Sequence, residues 1–277
     1  TWYVREIEQP AGFVLDDTIY PVTIGADGQV VEIEIVNRYV RGNIHLTKVD
    51  SEYPDNKLTG ATFEVYKDSN ATGNLDDGDE LLGTLTEKEI GEYSMNDLFY
   101  GRYFVKETKA PEGFVLDTGV YEVMIDTNGK TYKVENKAGV GFVNDAMRGN
   151  LKIIKTSSDG KVKGFAFRIT GANGYDIILE TNDKGEIFID GLRIGDYTIS
   201  EVSNSASSMY VIPADKKATV KIGSTTIVEM HNVLRDTPKT GDTTNLPLLY
   251  ALAGLSAVGI AVCGVIGFKK KKKEDRN

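Results

Sequence analysis

The chain has 277 residues, with 32 Lys and Arg against 41 Asp and Glu and a net charge of −9. The nine residues after Phe268 hold six basic and two acidic groups, so the rest carries 26 basic against 39 acidic, a net −13 that argues against nucleic acid as a partner. Cys263, the single cysteine, lies in an apolar run near the end, which leaves the body without a disulfide or a cysteine metal site. The sequence starts with Thr rather than Met and does not open on a charged-then-apolar run, so it reads as the C-terminal piece of a longer or processed protein. Short alternating runs rich in Thr, Val, Ile and Tyr recur between Gly, Asn and Asp turns, an all-β pattern.

In chain order, Trp2, Val4 and Glu6 share one strand face, as do Ile33, Ile35 and Asn37. The stretch VNRYVRGNIHLTKVD, from Val36, returns as VNDAMRGNLKIIKTS, from Val143. In both, eleven residues separate the Asn (Asn37, Asn144) from the following Lys (Lys48, Lys155). VREIEQPAGFVLD, from Val4, returns as VKETKAPEGFVLD, from Val105. Repeats at this spacing make a unit of ~100 residues, a normal sandwich size. They divide the chain into the end of one unit (1–40) and two whole ones (41–145 and 146–236).

Within the second unit, Ile44, Leu46 and Lys48 point one way, as do Tyr103, Val105 and Glu107, and Val140, Phe142 and Asn144. Asn136 shares inward parity with Tyr132 and Val134 and competes with Asn144; the eleven-residue step to the next Lys favours Asn144. The third unit repeats the pattern: Leu151, Ile153 and Lys155; Tyr197, Ile199 and Glu201; Val228, Met230 and Asn232. Each whole unit therefore aims a Lys, a Glu and an Asn into its core, and buried polar groups need partners. The third unit departs after Glu201, where EVSNSASSMYVIP lacks the Ala-Pro-x-Gly turn.

Between Asp68 and Glu80 the loop DSNATGNLDDGDE is dense in oxygen ligands. Asp68, Asn70, Asn74, Asp76 and Asp79 form a calcium candidate, set against the plainer reading of a solvated acidic hairpin loop. No other cofactor is expected. His45 and His231 fall on outward parity, and no exposed aromatic cluster is legible to suggest a host ligand on these units.

The end of the chain has its own logic. Residues 246–268 run without a charge, long enough at ~1.5 Å per residue to cross a ~30 Å hydrocarbon layer as a single transmembrane helix. The basic tail, 269–277, places that end in the cytoplasm and the body outside. Thr237, Pro238, Lys239, Thr240 and Gly241 stand just before, with 242–245 as linker. The order of Pro, Thr, Gly, apolar span and basic tail resembles the cell-wall sorting signal of Gram-positive LPXTG surface proteins, with Thr237 where leucine is usual. The resemblance implies that a sortase cysteine attacks between Thr240 and Gly241, and that the body is passed to a peptidoglycan cross-bridge or a neighbouring pilin subunit.

YFVKETKAPEGF, from Tyr103, is similar to the pilin E-box YxLxETxAPxGY, and the units resemble the CnaB-type, SpaA-like domains of Gram-positive adhesins and pilins. That resemblance implies tandem Ig-like or prealbumin-like β-sandwiches. It also implies an intramolecular isopeptide bond in each, formed when a Lys amine attacks an Asn carboxamide and ammonia leaves, with a Glu assisting. By position the sets are Lys48, Glu107 and Asn144, then Lys155, Glu201 and Asn232, with Glu6 and Asn37 belonging to the first unit. The Glu would polarise the amide oxygen and shuttle protons as the amine leaves. The implied protein is a wall-anchored pilin subunit or stalk, not an enzyme acting on a substrate. The alternative is an adhesin that binds a host ligand through an upstream domain.

Overall fold

The computed structural model describes residues 1–236, so the expected sorting residues (Thr237–Gly241), the apolar span and the basic tail lie outside the described residues. Among the described residues no helix is long and apolar enough to cross a membrane; a single 3-10 turn, Ala172–Gly174, interrupts the strands.

Alternation builds two packed sandwiches. In the first, one sheet runs Val120–Ile125, Gly101–Lys109, Thr62–Lys67, Glu80–Thr84. The other runs Thr131–Lys133, Arg41–Asp50, Glu92–Phe99, Thr86–Glu89, and Phe142–Asn144 also pairs with Arg41–Asp50. Inward residues of both sheets meet in one apolar core that includes Ile44, Leu46, Phe63, Val65, Tyr93, Tyr103, Val105 and Phe142. Each such side chain is worth ~1.5–3 kcal/mol of burial. The second sandwich repeats the plan. Its sheets are Glu186–Arg193, Arg148–Ser157, Thr225–Leu234, Tyr210–Val211 and Asp176–Glu180, Ala166–Thr170, Gly195–Val202, Lys216–Val220. Its separate core centres on Leu151, Ile153, Phe165, Phe167, Ile199 and Met230.

In both sandwiches the first and last strands run parallel and side by side. Lys48 lies opposite Phe142, and Lys155 lies opposite Met230. The Asn comes two residues further on in each case, on the same face of the neighbouring strand.

Residues 1–40 form only short pairs, Trp2–Val4 with Tyr20–Val22 and Phe13–Val14 with Arg38–Tyr39. Here shared parity does not bring burial. Trp2 is 68 % exposed, Val4 and Ile33 are exposed, and no strand covers 31–37. Parity gave these residues a common face, but among the described residues no second sheet covers it.

The joints between segments share one design. Pro111 O accepts the Phe114 N–H in a β-turn whose third residue, Gly113, has φ 83°. The Pro10–Phe13 turn is the same, with Gly12 at φ 85°; a side chain there would be strained. The turn carbonyl then holds the next linker: Val40 N–H donates to Gly12 O and Met147 N–H to Gly113 O, both at 2.8 Å. Each linker carbonyl in turn accepts from the next sandwich, from Tyr100 N–H and Ile194 N–H, both at 3.0 Å. After Glu201 the loop lacks Pro-x-Gly, yet Arg235 N–H still reaches Met209 O at 2.9 Å. The second joint adds charge: Arg193 places its two terminal nitrogens 2.5 and 2.7 Å from the Asp50 carboxylate and also pairs with Glu52.

Candidate functional site

In the first sandwich Lys48 and Glu107 are both 0 % exposed and Asn144 is 3 % exposed. Three strands deliver them. Lys48 comes from the first strand, Glu107 from the strand Gly101–Lys109, and Asn144 from the last. Lys48 Nζ donates to Asn144 Oδ1 at 2.6 Å and to Phe142 O at 3.1 Å, and lies 3.8 Å from Glu107 Oε1. The Asn144 Nδ2 group donates to Glu107 Oε2 at 2.8 Å and Oε1 at 3.1 Å. One amide is thus gripped by the amine on its oxygen and by the carboxyl on its nitrogen. This corrects the expectation that Glu107 sits on the amide oxygen: its contact is with the amide nitrogen, a position from which an acid could protonate that nitrogen.

Burial sets the electrostatics. Desolvation lowers the Lys48 ammonium to about 8, against the opposing pull of Glu107, Asp117 and Asp50. Desolvation also raises Glu107, opposed by hydrogen bonds from Asp117 N–H and Asn144 and by the Lys48 charge. Both shifts favour neutral amine beside neutral acid, the protonation states that nucleophilic attack on an amide requires.

Asn136 is not beside the amine. Its Nδ2 donates to Asp117 Oδ2 at 2.6 Å and to Val143 O at 2.8 Å, and its Oδ1 accepts from Val143 N–H at 2.6 Å.

The second sandwich assembles its trio less completely. Lys155 and Asn232 are buried, and Asn232 Nδ2 donates to Glu201 Oε1 at 2.6 Å. However, Lys155 Nζ donates to Thr156 O at 2.5 Å and sits 4.1 Å from the Phe165 ring centroid. Asn232 Oδ1 and Glu201 Oε2 are buried without a hydrogen-bond partner. Desolvation again lowers Lys155 and raises Glu201. In residues 1–40, Asn37 Nδ2 donates to Glu6 Oε1 at 2.6 Å, and Asn37 Oδ1 is buried and unpartnered.

The acidic loop closes on itself. Asp68 accepts from the Thr72 and Gly73 N–H groups, with Arg102 Nη1 3.7 Å away. Asp76 accepts from Asn70, Thr72 and Gly78, and Asp79 from Ser69 and Asp76. Asn74 bonds only to Thr72. Among the described residues no three acidic or His/Cys side chains converge as a cation cage. His45 pairs with Glu92 at 2.9 Å and His231 with Thr156, both toward the surface.

Sequence reading missed two features. Asp117 and Asn136 brace the site, and the signal for Asp117 was the Asp that ends both copies of GFVLD. An aromatic cluster also forms at the first joint. Phe13 stacks on Tyr39 (4.7 Å) and Tyr39 meets Phe99 edge-on (5.4 Å), with Tyr39, Phe99 and Tyr100 all exposed. These residues are far apart in sequence and meet only through the turn-to-linker contact.

The model of the SpaA prealbumin-like fold domain matches residues 42–138 and 149–233. The trypsin-resistant surface T6 protein of Streptococcus pyogenes serotype M6 is 27 % identical over 176 residues, which are 62 % of this chain and 29 % of that protein. The Bacillus anthracis TIE protein superposes with TM-score 0.62 at 26 % identity, over 83 % of this chain and 41 % of that one. The minor pilin GBS52 of Streptococcus agalactiae matches 72 % of this chain at 19 % identity and TM-score 0.34. The chain spans less than half the length of the T6 and TIE proteins.

Proposed function

Because the chain belongs to the SpaA family of prealbumin-like fold domains, we propose that it is a structural cell-surface protein of pilin type, its sandwiches locked by Lys–Asn isopeptide bonds and its end anchored by a sortase. The observation that carries this reading is the 2.6 Å approach of Lys48 Nζ to Asn144 Oδ1, with Glu107 on the same buried amide. Burial neutralises the Lys48–Glu107 pair by moving the ammonium proton to the carboxylate. The amine then bonds to the Asn144 carboxamide carbon. A proton from the attacking nitrogen passes through Glu107 to Nδ2, the carbon–Nδ2 bond breaks, and ammonia leaves. One amide replaces another, no oxidant is needed, and the charges whose burial is costly are gone. The same chemistry is proposed for Lys155, Glu201 and Asn232, and residues 1–40, with Glu6 and Asn37, are read as the end of a third such unit.

A link between parallel first and last strands closes the path along which tension would peel the sandwich apart. This supports a load-bearing role on the surface, where no body disulfide is available. The sorting signal at Thr237–Gly241, the span 246–268 and the basic tail complete the proposal, with sortase and a peptidoglycan cross-bridge or a neighbouring pilin subunit as partners.

The test is expression with sortase in a Gram-positive host. Wall extracts boiled in denaturant that give a ladder of polymers support the pilin reading. A single wall-linked band assigns the chain to the stalk of an adhesin, and Thr240→Ala should release either form from the wall. The Phe13–Tyr39–Phe99 cluster, with Tyr39 and Phe99 exposed, is the feature among the described residues that favours a ligand-binding role.

A further inference from the structure

Around the Lys48–Asn144 contact, one residue that takes no part in the chemistry bonds both to Glu107 and to Asn136. The Asp117 N–H donates to Glu107 Oε2 at 2.8 Å, fixing the carboxyl whose other contact is Asn144 Nδ2. The Asp117 side chain accepts from Asn136 Nδ2 at 2.6 Å, from the Tyr121 hydroxyl at 2.8 Å and from Gly119 N–H at 2.6 Å. Asn136 in turn clasps both backbone groups of Val143, the neighbour of Asn144. We propose that Asp117 is a positioning residue for isopeptide formation in this sandwich, aiming Glu107 through its own backbone and Asn144 through Asn136. The proposal rests on the isopeptide reading and deepens it.

Two internal comparisons support it. In residues 1–40 the same brace recurs: Asp16 N–H donates to Glu6 Oε2 at 2.7 Å and the Tyr20 hydroxyl donates to Asp16 Oδ2 at 2.5 Å. In the second sandwich the brace is missing. There Glu201 Oε2 has no partner, Asn232 Oδ1 is unmet, and Lys155 Nζ has turned to Thr156 O. The sandwich with the Asp has amine on amide; the one without it does not. A cleft of about 170 Å³ beside the site is lined by Leu116, Asp117, Asn136, Val143 and Asn144.

Charge gives the proposal a signature that simple packing would not. Burial alone would raise the Asp117 carboxyl, but its bonds from Asn136, Gly119 and Tyr121 hold it below its ordinary value, so it stays anionic. That anion raises both Glu107 and Lys48. The other titratable groups facing the pair are Asp50, which also raises Lys48, and Tyr121, itself raised to about 12 by burial and its bond to Asp117. Removing the Asp117 charge should therefore lower both groups.

The experiment follows cross-linking of the full chain, refolded from uncross-linked material across a pH series and quenched at intervals, by intact mass and by recovery of the Lys48–Asn144 branched peptide. Asp117→Asn should slow this link by about tenfold or more, within the ~10²-fold cost of a 1 Å misplacement, and shift both limbs of its pH profile to lower pH. Asn136→Ala should slow it with the wild-type profile. The Lys155–Asn232 link should keep its wild-type rate in both. An Asp117→Asn chain that matches wild type in rate and profile overturns the proposal, as does one slowed without a profile shift while Asn136→Ala reacts normally. If Asp117→Asn does not refold, Asn136→Ala decides: slowing supports the proposal and a wild-type rate overturns it. A wild-type chain that never loses ammonia overturns the isopeptide reading and this proposal together; loss in wild type with an unaffected Asp117→Asn overturns this proposal alone.

Discussion

Lys48 Nζ lies 2.6 Å from Asn144 Oδ1, 96 residues later in the chain and on a neighbouring parallel strand, with both side chains buried. A bond at this contact would close nearly the whole sandwich into one loop. Glu107→Gln keeps the shape of the site but removes the proton carrier, so the bond should not form. By analogy with a disulfide closing a loop of that length, the lost restriction of the unfolded chain is ~4–5 kcal/mol. Denaturant midpoints of the mass-verified variant and wild type check this. Equal stability of a linked and an unlinked chain would count against the staple.

The same Glu107→Gln chain should gain stability with rising pH. Its Lys48 remains a buried amine. Burial lowers that group to about 8 even with Glu107 opposing, against 10.5 for an ordinary lysine. The folded state therefore binds fewer protons than the unfolded one across this window, and stability rises with pH through it. The linked wild type has no Lys48 amine left to titrate and should lack this rise. Unfolding curves near pH 7 and near pH 10 decide; a flat or falling trend in the variant would contradict the buried amine.

Order of reaction is a third expectation. Lys155 must leave Thr156 O and swing toward Asn232 before it can react, whereas Lys48 is already on its amide. In chains quenched early after folding, the first ammonia lost should map to the Lys48–Asn144 peptide. Earlier appearance of the Lys155–Asn232 peptide would show that amine placement does not set the rate.

At the second joint, Arg193→Ala strands the buried Asp50 carboxylate. The expected cost is on the order of 2 kcal/mol, below the ~3–5 kcal/mol of a fully buried pair because the Arg193 side chain keeps 16 % exposure. Hydrogen exchange should quicken at the Met147 and Ile194 amides, which bridge the joint, and not at core amides such as Val105. Unchanged exchange at those two amides would show that the backbone contacts hold the joint without the charge.

How much of this was legible beforehand follows from the physics of each element. Period-2 alternation pointed Lys48, Glu107 and Asn144 inward because a strand has only two faces and its apolar neighbours fix which one is buried. The same rule misled at Trp2 and Val4, since parity names a face without supplying the sheet that covers it. Asp117 and Asn136 lie outside regular strands and act through side-chain hydrogen bonds: parity turned Asn136 inward but offered it only as a rival to Asn144, and for Asp117 only the repeated Asp at Glu plus ten hinted at a role. The third unit's altered loop was visible, but not that two extra residues still bring Met209 O to Arg235 N–H. The Asp50–Arg193 pair joins residues 143 apart and had no local signal.

The central claim is tested most directly by the intact mass of the purified, fully denatured full chain, followed by peptide mapping. The account predicts a mass short of the sequence value by one ammonia for each linked pair, a branched peptide joining Lys48 to Asn144, and one ammonia fewer lost in Lys48→Ala. A mass equal to the sequence value, with the Lys48 and Asn144 peptides recovered separately and unmodified, would contradict it.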